Sequence, residues 1–566
     1  MKIKFINLIF FVFIAILVVI SVAVNKYQDA LSVANAIEEN SIEKELNTNT
    51  LNQIKLIDNH AIYELDDDRK IYKLYVTILP PKENNSVTFK DLNTNYMQSN
   101  GNYVIDAFDY VSEIFFSEKP VSGSGTVPNG TIEIRGQSSR NAQKKSYKIK
   151  LFDSTERWDG FRILNLNKHY SDRFRIINKF SYDLFEKIPD FVSFRTRFVH
   201  LYIKDLSGGA SKTSYEDYGL FTFIEQPNKQ FLKQHNLDIN GHLYKAEFFE
   251  FFRYEDNLKS KDDLTFSESS FEEILEVMGN DNHDKLLEML DAVNNYNLNI
   301  DDVIEQYFDK DNLLTWLSVN ILLDNIDTNS RNFILYSPLN SDKWFFLPWD
   351  YDGSLKNESQ RRSTWQKNIS NYWGMVIFNR MFKNPENIDA LSRKMEEISQ
   401  IINKENSKKL IDNYYPQIRQ ILYNSSDTED MDYSEEDYKD NLYGIINMME
   451  NNKNDYYHSL ETPMPFFLGT PTLDNDEYYF NWTSSYDFQG DELNYTFILS
   501  TDYNFKNIIA KYENLKTVFC KVSKLKPGTY YWKVIVYDEK GNWQLPFDTL
   551  RVSSSNIHGT QMLRVK

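Results

Sequence analysis

The chain has 566 residues, more than one hydrophobic core usually organises, so two or three domains are expected. Its net charge of −19 argues against a nucleic-acid-binding groove and is compatible with basic protein substrates. The single cysteine, Cys520, excludes an intrachain disulfide framework and any zinc site built from cysteine pairs.

The amino terminus carries a membrane-targeting pattern. Lys2 and Lys4 precede residues 5–24, which contain no charged residue and are long enough to cross a bilayer as a helix. We therefore expect residues 1–27 to be a signal anchor that holds the bulk of the protein outside the cytoplasm. Ser-Val-Ala at residues 21–23 leaves cleavage of a secretion signal as the alternative. Residues 28–69 are polar and predict a stalk or linker.

A first polar motif lies between two predicted strands. Residues 131–134 predict a strand that leads into Arg-Gly-Gln-Ser-Ser-Arg at 135–140, and the chain returns as a strand over 145–151. Alternation places Lys145 on the same face as the apolar side chains of that return strand. An inward lysine suits an anionic partner such as a nucleotide phosphate. A lysine that snorkels at the strand end explains the spacing equally well.

The next segments predict a helix over 171–187 and two strands over 199–203 and 218–225. Residues 171–187 have apolar residues at helical spacing after Ser171, a possible helix cap. Asp183 and Glu186 are the acids of this helix, and neither stands out as a partner for Lys145. Residues 218–225 predict a strand that ends at Glu225, where an acid facing solvent is the default reading.

The most informative stretch is 313–354. Residues 313–323 predict a buried helix with Asp311 placed to cap its start. Residues 333–336 and 344–347 predict two strands joined by a turn. Asp327 and Asn332 precede this hairpin, and Asp350 and Asp352 follow it.

A hairpin brings the residues before its first strand close to those after its second. Asp327, Asn332 and Asp350 can therefore converge, and their oxygen atoms suit magnesium or manganese. Asp327 and Asn332 are also spaced like the aspartate and asparagine of the protein-kinase catalytic loop. Taken alone, an Asp-x4-Asn pair is more often an ordinary turn or cap.

Two segments that follow one another along the chain resemble the CotH kinase family of bacterial atypical kinases. One comprises residues 324–332 and 344–352, and the other comprises 135–140 and 144–151; residues 218–225 and 241–245 resemble further family segments. The resemblance implies that residues 70–462 form an α+β, two-lobed, atypical protein-kinase-like domain with a β-rich N-lobe and a helical C-lobe. Residues 369–460 predict amphipathic helices, interrupted by an acidic run at 425–437 that predicts an exposed loop.

The resemblance also implies ATP and Mg²⁺ or Mn²⁺ as cofactors and assigns roles to individual residues. Asp327 would act as the base that orients the acceptor hydroxyl, and Arg331 would stabilise charge. Asn332, Asp350 and Asp352 would hold the metal. The residues expected to bind the nucleotide are Arg135, Ser138, Ser139, Lys145, Glu225 and Lys245.

Residues 463–566 predict a separate all-β domain. Pro-Met-Pro at 463–465 marks the boundary, and short strands separated by turns then recur at the spacing of a β-sandwich. Residues 525–532 resemble the tyrosine corner of fibronectin type III domains, with Tyr530 or Tyr531 as the corner residue. Trp482 and Trp532 are expected in the sandwich core.

The resemblance implies a kinase of the cell surface or spore coat that phosphorylates Ser or Thr of a protein. The amino-terminal pattern predicts that it is membrane-anchored with its bulk outside the cytoplasm, and the acidic charge predicts that it binds no nucleic acid. The first alternative is a catalytically inactive surface or spore-coat assembly protein that keeps the fold, since ATP is scarce outside most cells. The second uses Asp327, Asp350 and Asp352 as glycosidase carboxylates, which leaves the asparagine and lysine without a role.

Overall fold

The computed structural model describes residues 56–81, 87–94, 110–122, 127–136, 138–169, 172–208, 214–356, 367–552 and 555–566. The predicted anchor at 5–24 and the stalk up to residue 55 lie outside the described residues, as do Gln137 and Ser171. Within the described ranges, no helix is both long and apolar enough to span a membrane. The chain is of the mixed α+β class, as predicted.

A closed β-barrel forms the first part of the described fold. Its strands are β1 (Ile71–Ile78), β2 (Ser112–Ser117), β3 (Gly130–Arg135), β4 (Ser146–Leu151), β5 (Ile163–Asn167), β6 (Thr196–Asp205) and β7 (Glu216–Ile224). They follow the order β1-β2-β3-β4-β5-β7-β6, with β1 parallel to β6 and the other neighbours antiparallel. In β4, Tyr147, Ile149 and Leu151 are buried, which confirms the predicted inward face.

Residues 56–69, which the sequence assigned to the stalk, pack on the folded domain. They include a 3₁₀ helix, His60–Leu65, in which Ile62 and Tyr63 are buried. Asp66 forms ion pairs with Arg195 (2.7 Å) and Arg197. The ordered domain therefore begins before residue 70.

A four-stranded sheet and the helices follow the barrel. The sheet contains β8 (His242–Ala246), β9 (Leu275–Val277), β10 (Phe333–Ser337) and β11 (Phe345–Pro348) in the order β11-β10-β8-β9. The predicted hairpin is confirmed as β10 and β11. The described helices are Phe89–Thr94, Ile177–Phe185, Lys229–Gln234, Glu268–Glu272, Asp284–Asn294, Ile300–Tyr307, Lys310–Leu322, Ile369–Tyr372, Val376–Met381, Pro385–Ser399, Lys404–Leu422, Glu435–Gly444 and Met448–Ser459.

The buried helix Lys310–Leu322 supports the hairpin. Its cap is Asp309, whose side chain accepts a hydrogen bond from the Asn312 N–H at 2.8 Å, so the prediction of Asp311 as the cap is wrong. The Asn312 side chain in turn bonds both backbone groups of Phe346, at 2.7 and 3.2 Å. A single buried amide thus fixes β11 on the helix.

The predicted exposed loop at 425–437 is wrong at Asp427. This residue is only 4% exposed, and its carboxylate accepts hydrogen bonds from the Lys168 ammonium (2.7 Å) and the Leu220 N–H (2.6 Å). Acidic residues in a run are normally solvated, but here one of them neutralises a lysine of the barrel. The contact ties the helical part of the domain to the barrel.

The carboxy-terminal residues form antiparallel sheets. The strands are β12 (Thr472–Asp474), β13 (Glu477–Asn481), β14 (Asn494–Ser500), β15 (Ile508–Leu515), β16 (Phe519–Ser523), β17 (Gly528–Tyr537), β18 (Trp543–Gln544), β19 (Thr549–Val552), β20 (Ser555–His558) and β21 (Thr560–Val565). Sheet β12-β13-β16 and sheet β15-β14-β17-β18, with β21 on β17, enclose one core that contains Trp482 and Trp532, as predicted. The Tyr530 hydroxyl donates to the Lys526 carbonyl at 2.8 Å, the bond expected of a corner tyrosine.

Candidate active site

The hairpin register brings the polar residues of three strands to one end of the small sheet. Phe333 pairs with Pro348, so Asn332, just before β10, lies near Asp350, two residues after Pro348. On the other side of β10, Ile334 pairs with Lys245. The side chains of Asn332, Asp350 and Lys245 therefore place an amide, a carboxylate and an ammonium group at the same end of the sheet.

Two of these residues adopt a backbone conformation that L-residues usually avoid. Asn332 has a φ of 60° and Asp350 a φ of 55°, and Asp324 at the end of the preceding helix has a φ of 49°. Asn and Asp tolerate this left-handed region better than other non-glycine residues, yet each instance still costs free energy. Such strain concentrates at sites where side-chain placement matters more than local stability.

The carboxylates after the hairpin crowd one another. Burial raises the pKa of Asp350, and the charge of Asp327 adds to that rise, while Arg135 and Lys245 oppose it. Burial, followed by the charges of Asp350 and Asp172, raises the pKa of Asp352 well above its usual value. A divalent cation bound here would relieve this repulsion.

Asp327 occupies a different environment. It lies in the 3₁₀ helix Ile326–Asn329 and is exposed. Its Oδ2 would lie 3.2 Å from a Cβ placed on Gly353, in the turn that follows Asp352. An exposed carboxylate beside the half-buried Asp350 and Asp352 can receive a proton from a group that arrives from solvent.

Arg135 joins the first sequence motif to the hairpin. It ends β3, and its guanidinium donates to the Asn167 side chain. Burial lowers the pKa of Arg135, and the charge of Asp350 opposes that effect. Arg135 and Asp350 belong to the two segments that carry the family resemblance, and about 200 residues of chain separate them. The charges of the two segments therefore act on each other at one site.

The rest of the first motif turns tightly beside Arg135. Gly136 has a φ of 86°, and a Cβ there would collide with the Ser139 Oγ, so glycine is required. Ser139 donates to the Arg135 carbonyl at 3.3 Å. Ser138 begins a 3₁₀ helix, Ser138–Asn141, and its side chain lies outside the described part.

Lys145 is buried, as its predicted inward position requires. Its ammonium donates to the Arg140 carbonyl, and burial lowers its pKa. Its neighbour Lys144 instead pairs with Asp430 at 2.6 Å and Asp427 at 3.3 Å. The predicted helical acid Asp183 pairs with Lys179 of its own helix at 2.8 Å.

Two other residues predicted to bind the nucleotide have protein partners. Glu225 does not face solvent: it accepts hydrogen bonds from His235 (3.1 Å) and from the Arg195 N–H (3.3 Å). Lys245 forms ion pairs with Glu247 and with Glu276 (2.8 Å).

Arg331 is exposed. Burial raises the pKa of Glu250, and the charge of Arg331 partly offsets that rise.

The donor set fits a hard divalent cation. Asn332, Asp350 and Asp352 offer one amide and two carboxylate groups, and magnesium and manganese prefer oxygen ligands of this kind. Asn325 is 1% exposed, yet neither polar atom of its side chain has a hydrogen-bond partner in the described structure. Its Oδ1 would lie 4.0 Å from a Gly353 Cβ, so the unsatisfied amide is next to the same turn.

Sequence reasoning missed two residues of this site. Asp172 is 3% exposed, and its carboxylate accepts hydrogen bonds from the N–H groups of Phe174 (2.8 Å) and Ile177 (2.7 Å), at the start of the helix Ile177–Phe185. Burial raises the pKa of Asp172 to about 6. Asn325 was part of the hairpin motif and received no role. Its place beside Asp327 was the available signal, whereas nothing local distinguished Asp172.

Comparison with solved structures finds a Helicobacter pylori proinflammatory kinase, CtkA. The match covers 55% of this chain and 90% of that one, at 12% identity and a TM-score of 0.22. A score this low establishes no common fold.

Sequence comparison finds the inner spore coat protein H of Bacillus subtilis (strain 168). The two proteins are 23% identical over 224 residues, which is 39% of this chain and 58% of the relative. The matched region thus spans little more than half of the relative's length.

The family model of the CotH kinase protein matches residues 132–456, which is more than half of the chain. The matched range contains Arg135, the hairpin and the helices that support it. The chain belongs to the CotH kinase family.

Proposed function

We propose that the chain is a metal-dependent protein kinase that transfers the γ-phosphoryl group of ATP to Ser or Thr of a protein. One observation carries the proposal: the hairpin register brings Asn332, Asp350 and Lys245 to one end of the small sheet, where the charge of Arg135 from the first motif also acts on Asp350. Phosphoryl transfer needs cations next to phosphate oxygens and anions next to a metal, and this site supplies both.

The residues have distinct roles in this proposal. Asn332, Asp350 and Asp352 would hold Mg²⁺ or Mn²⁺, which neutralises the β- and γ-phosphates when bound. Arg135 would contact the phosphates. Asp327, which is exposed, would orient the acceptor hydroxyl and take its proton as the new O–P bond forms and ADP leaves with the electrons of the broken bond.

Four further positions complete the nucleotide site that we propose. Ser139 donates to the Arg135 carbonyl in the tight turn, and Lys145 directly precedes the return strand, in which Ser146 pairs with Arg135. Arg331 lies one residue from Asn332 and would stabilise charge on the transferred group. Lys245 lies at the same end of the small sheet as Asp350.

The proposal also covers where the protein is located and which partners it binds. The similarity to an inner spore coat protein supports a place in the spore coat or at the cell surface, and residues 5–24 would supply a membrane anchor. The net charge of −19 favours a basic protein substrate. The carboxy-terminal domain would be a fibronectin type III-like spacer or binding module, supported by its sheet order and the Tyr530 bond.

One observation favours the alternative of a non-catalytic assembly protein. Glu225 and Lys245, both expected near the nucleotide, are held by other side chains of the protein. A fold kept only for assembly would retain such internal pairs while binding no ATP.

Transfer from γ-labelled ATP decides between these functions. The full chain is incubated with labelled ATP, Mg²⁺ or Mn²⁺ and a basic, serine-rich protein, and products are identified by mass and phosphoamino-acid analysis. Kinase activity predicts labelled Ser or Thr, and Asp327→Asn should lower turnover by about 10² to 10⁴ fold. Asp302→Asn, at an exposed helical position, is the matched control and should keep full turnover.

Absence of label with either metal would support the assembly protein. Release of sugars from a polysaccharide panel without label would support the glycosidase alternative instead.

A further inference from the structure

A cluster of three carboxylates lies outside the candidate active site, in the carboxy-terminal domain. Asp487 and Asp491 belong to the loop between β13 and β14, and Asp538 follows β17. Each contributes a carboxylate oxygen that lies within 4.8 Å of the other two. We propose that Asp487, Asp491 and Asp538 bind Ca²⁺ and that the cation stiffens the loop through which the carboxy-terminal domain packs on the kinase-like domain.

The Asp487 carboxylate points to a missing ligand. Asp487 is 7% exposed, and its Oδ1 accepts hydrogen bonds from the N–H groups of Gln489 (2.9 Å) and Asp491 (3.0 Å). Its Oδ2 is buried and has no hydrogen-bond partner in the described structure. An unsatisfied buried carboxylate oxygen is costly, so proteins normally provide a donor or a cation for it.

The other two carboxylates are held in place by different means. Asp538 is 5% exposed, and its Oδ1 accepts from the N–H groups of Lys540 (2.9 Å) and Asn542 (2.8 Å). Its Oδ2 accepts from the Asn542 side chain at 2.8 Å. Both oxygens of an ionised carboxylate have lone pairs left for a metal after such bonds form. The Oδ2 of Asp491 makes no hydrogen bond in the described structure.

The local charge balance also favours a cation. The Lys540 ammonium lies 3.3 Å from Asp491 and 3.5 Å from Glu461, and its side chain is about half exposed. One flexible ammonium group at the rim does not neutralise three crowded carboxylates, of which two are almost fully buried.

Ca²⁺ suits this donor set better than Mg²⁺. Calcium accepts several carboxylates in irregular geometry on loops, whereas magnesium demands an octahedral shell and keeps most of its waters. The donors here come from two separate loops, and two of the three residues are almost fully buried.

The cluster lies where the two domains meet. Tyr486 and Phe488, on either side of Asp487, pack on Trp373 of the kinase-like domain with ring centroids 5.4 and 6.0 Å apart. The side chain of Gln489 donates at 2.9 Å to the Leu460 carbonyl, after the last helix of that domain. A cation that joins this loop to Asp538 would therefore stiffen the junction.

Thermal unfolding of the full chain tests the site. The protein is stripped with EDTA, and CaCl₂ or MgCl₂ is added to about 10 mM, roughly a hundred times a Kd of the order of 10⁻⁴ M. We expect Ca²⁺ to raise the unfolding midpoint by several degrees and Mg²⁺ to raise it much less. Equal shifts with both ions that persist in Asp350→Asn, or no shift with Ca²⁺, would overturn the proposal.

Isosteric variants locate the effect. Asp487→Asn keeps an oxygen for the two backbone N–H groups but removes charge, so we expect it to abolish the Ca²⁺ shift. In EDTA this variant should be at least as stable as the wild type, because carboxylate repulsion is relieved; a purely structural Asp487 predicts lower stability under both conditions. If Asp487→Asn does not fold, Asp491→Asn is used, because the Asp491 side chain is partly exposed and its Oδ2 accepts no hydrogen bond in the described structure.

Two controls distinguish this site from other carboxylates. Asp502 also accepts loop N–H groups in the same domain, but both of its oxygens are satisfied, so Asp502→Asn should keep the Ca²⁺ shift. Asp350→Asn, at the candidate active site, should keep it too. Loss of the shift in Asp350→Asn with its retention in Asp487→Asn would contradict the assignment.

Discussion

His235 is a buried cation between two carboxylates, and its removal should change the pH dependence of stability. Its Nδ1 lies 2.7 Å from Asp58 and its Nε2 lies 3.1 Å from Glu225, and all three side chains are buried. Burial alone would lower the pKa of His235, but the charges and hydrogen bonds of Glu225 and Asp58 outweigh burial and raise it to about 9.

The shift sets both the magnitude and the direction of the effect. A rise from the usual 6.5 to about 9 corresponds to roughly 3 kcal/mol of stability, at about 1.4 kcal/mol per pKa unit. The folded state holds this proton more tightly than the unfolded chain does. The contribution is therefore fully present below about pH 6.5 and is lost as the pH rises through about 9.

The perturbation is His235→Gln, followed by urea unfolding of both proteins between about pH 6 and pH 10. We expect the variant to be less stable by roughly 3 to 5 kcal/mol at the lower pH, because two buried carboxylates lose their cation. The difference should shrink by roughly 3 kcal/mol toward the upper pH.

A matched control uses another buried histidine. Burial lowers the pKa of His283 to about 4, so His283 is neutral throughout this pH range. His283→Gln should therefore leave the shape of the pH profile unchanged. A difference between wild type and His235→Gln that does not vary with pH would refute the argument for a charged His235.

Three further predictions concern the candidate site and its support. Mg-ATP binding at mildly acidic pH should release protons, because burial and neighbouring carboxylates raise the pKa of Asp352, and a metal ligand must be ionised; a calorimetric enthalpy independent of the buffer would contradict this. Gly353→Ala should lower phosphotransfer without changing urea unfolding, since the new Cβ lies 3.2 Å from the Asp327 Oδ2; wild-type turnover would contradict it. Asp427→Ala should cost roughly 3 to 5 kcal/mol in urea unfolding because it leaves the buried Lys168 unpaired, and a loss below about 1 kcal/mol would contradict it.

Local patterns predicted what depends on neighbours in sequence. The hairpin, the position of Asn332 and Asp350 at one end of it and the inward face of β4 followed from alternation and turn residues. The cap of the helix Lys310–Leu322 was misplaced by two residues, since both Asp309 and Asp311 are suitable cap residues.

Long-range contacts could not be predicted in the same way. The barrel pairs β1 with β6 in parallel, and no local pattern encodes which distant strands become neighbours. Asp427 lies in an acidic run that ordinarily predicts solvent, and only the folded chain brings Lys168 to it. The role of Asp172 could not be predicted from sequence either, because its contribution to the site depends on its approach to Asp352.

Calorimetric titration of Mg-ATP into the full chain and its variants tests most directly whether the hairpin binds the metal and nucleotide. The account predicts that Asp350→Asn loses binding, because it removes a metal ligand and leaves the charge of Arg135 unopposed. Asp327→Asn should bind within a few fold of the wild type, as should the control Asp302→Asn. Wild-type affinity in folded Asp350→Asn would contradict the account and remove the nucleotide from this site.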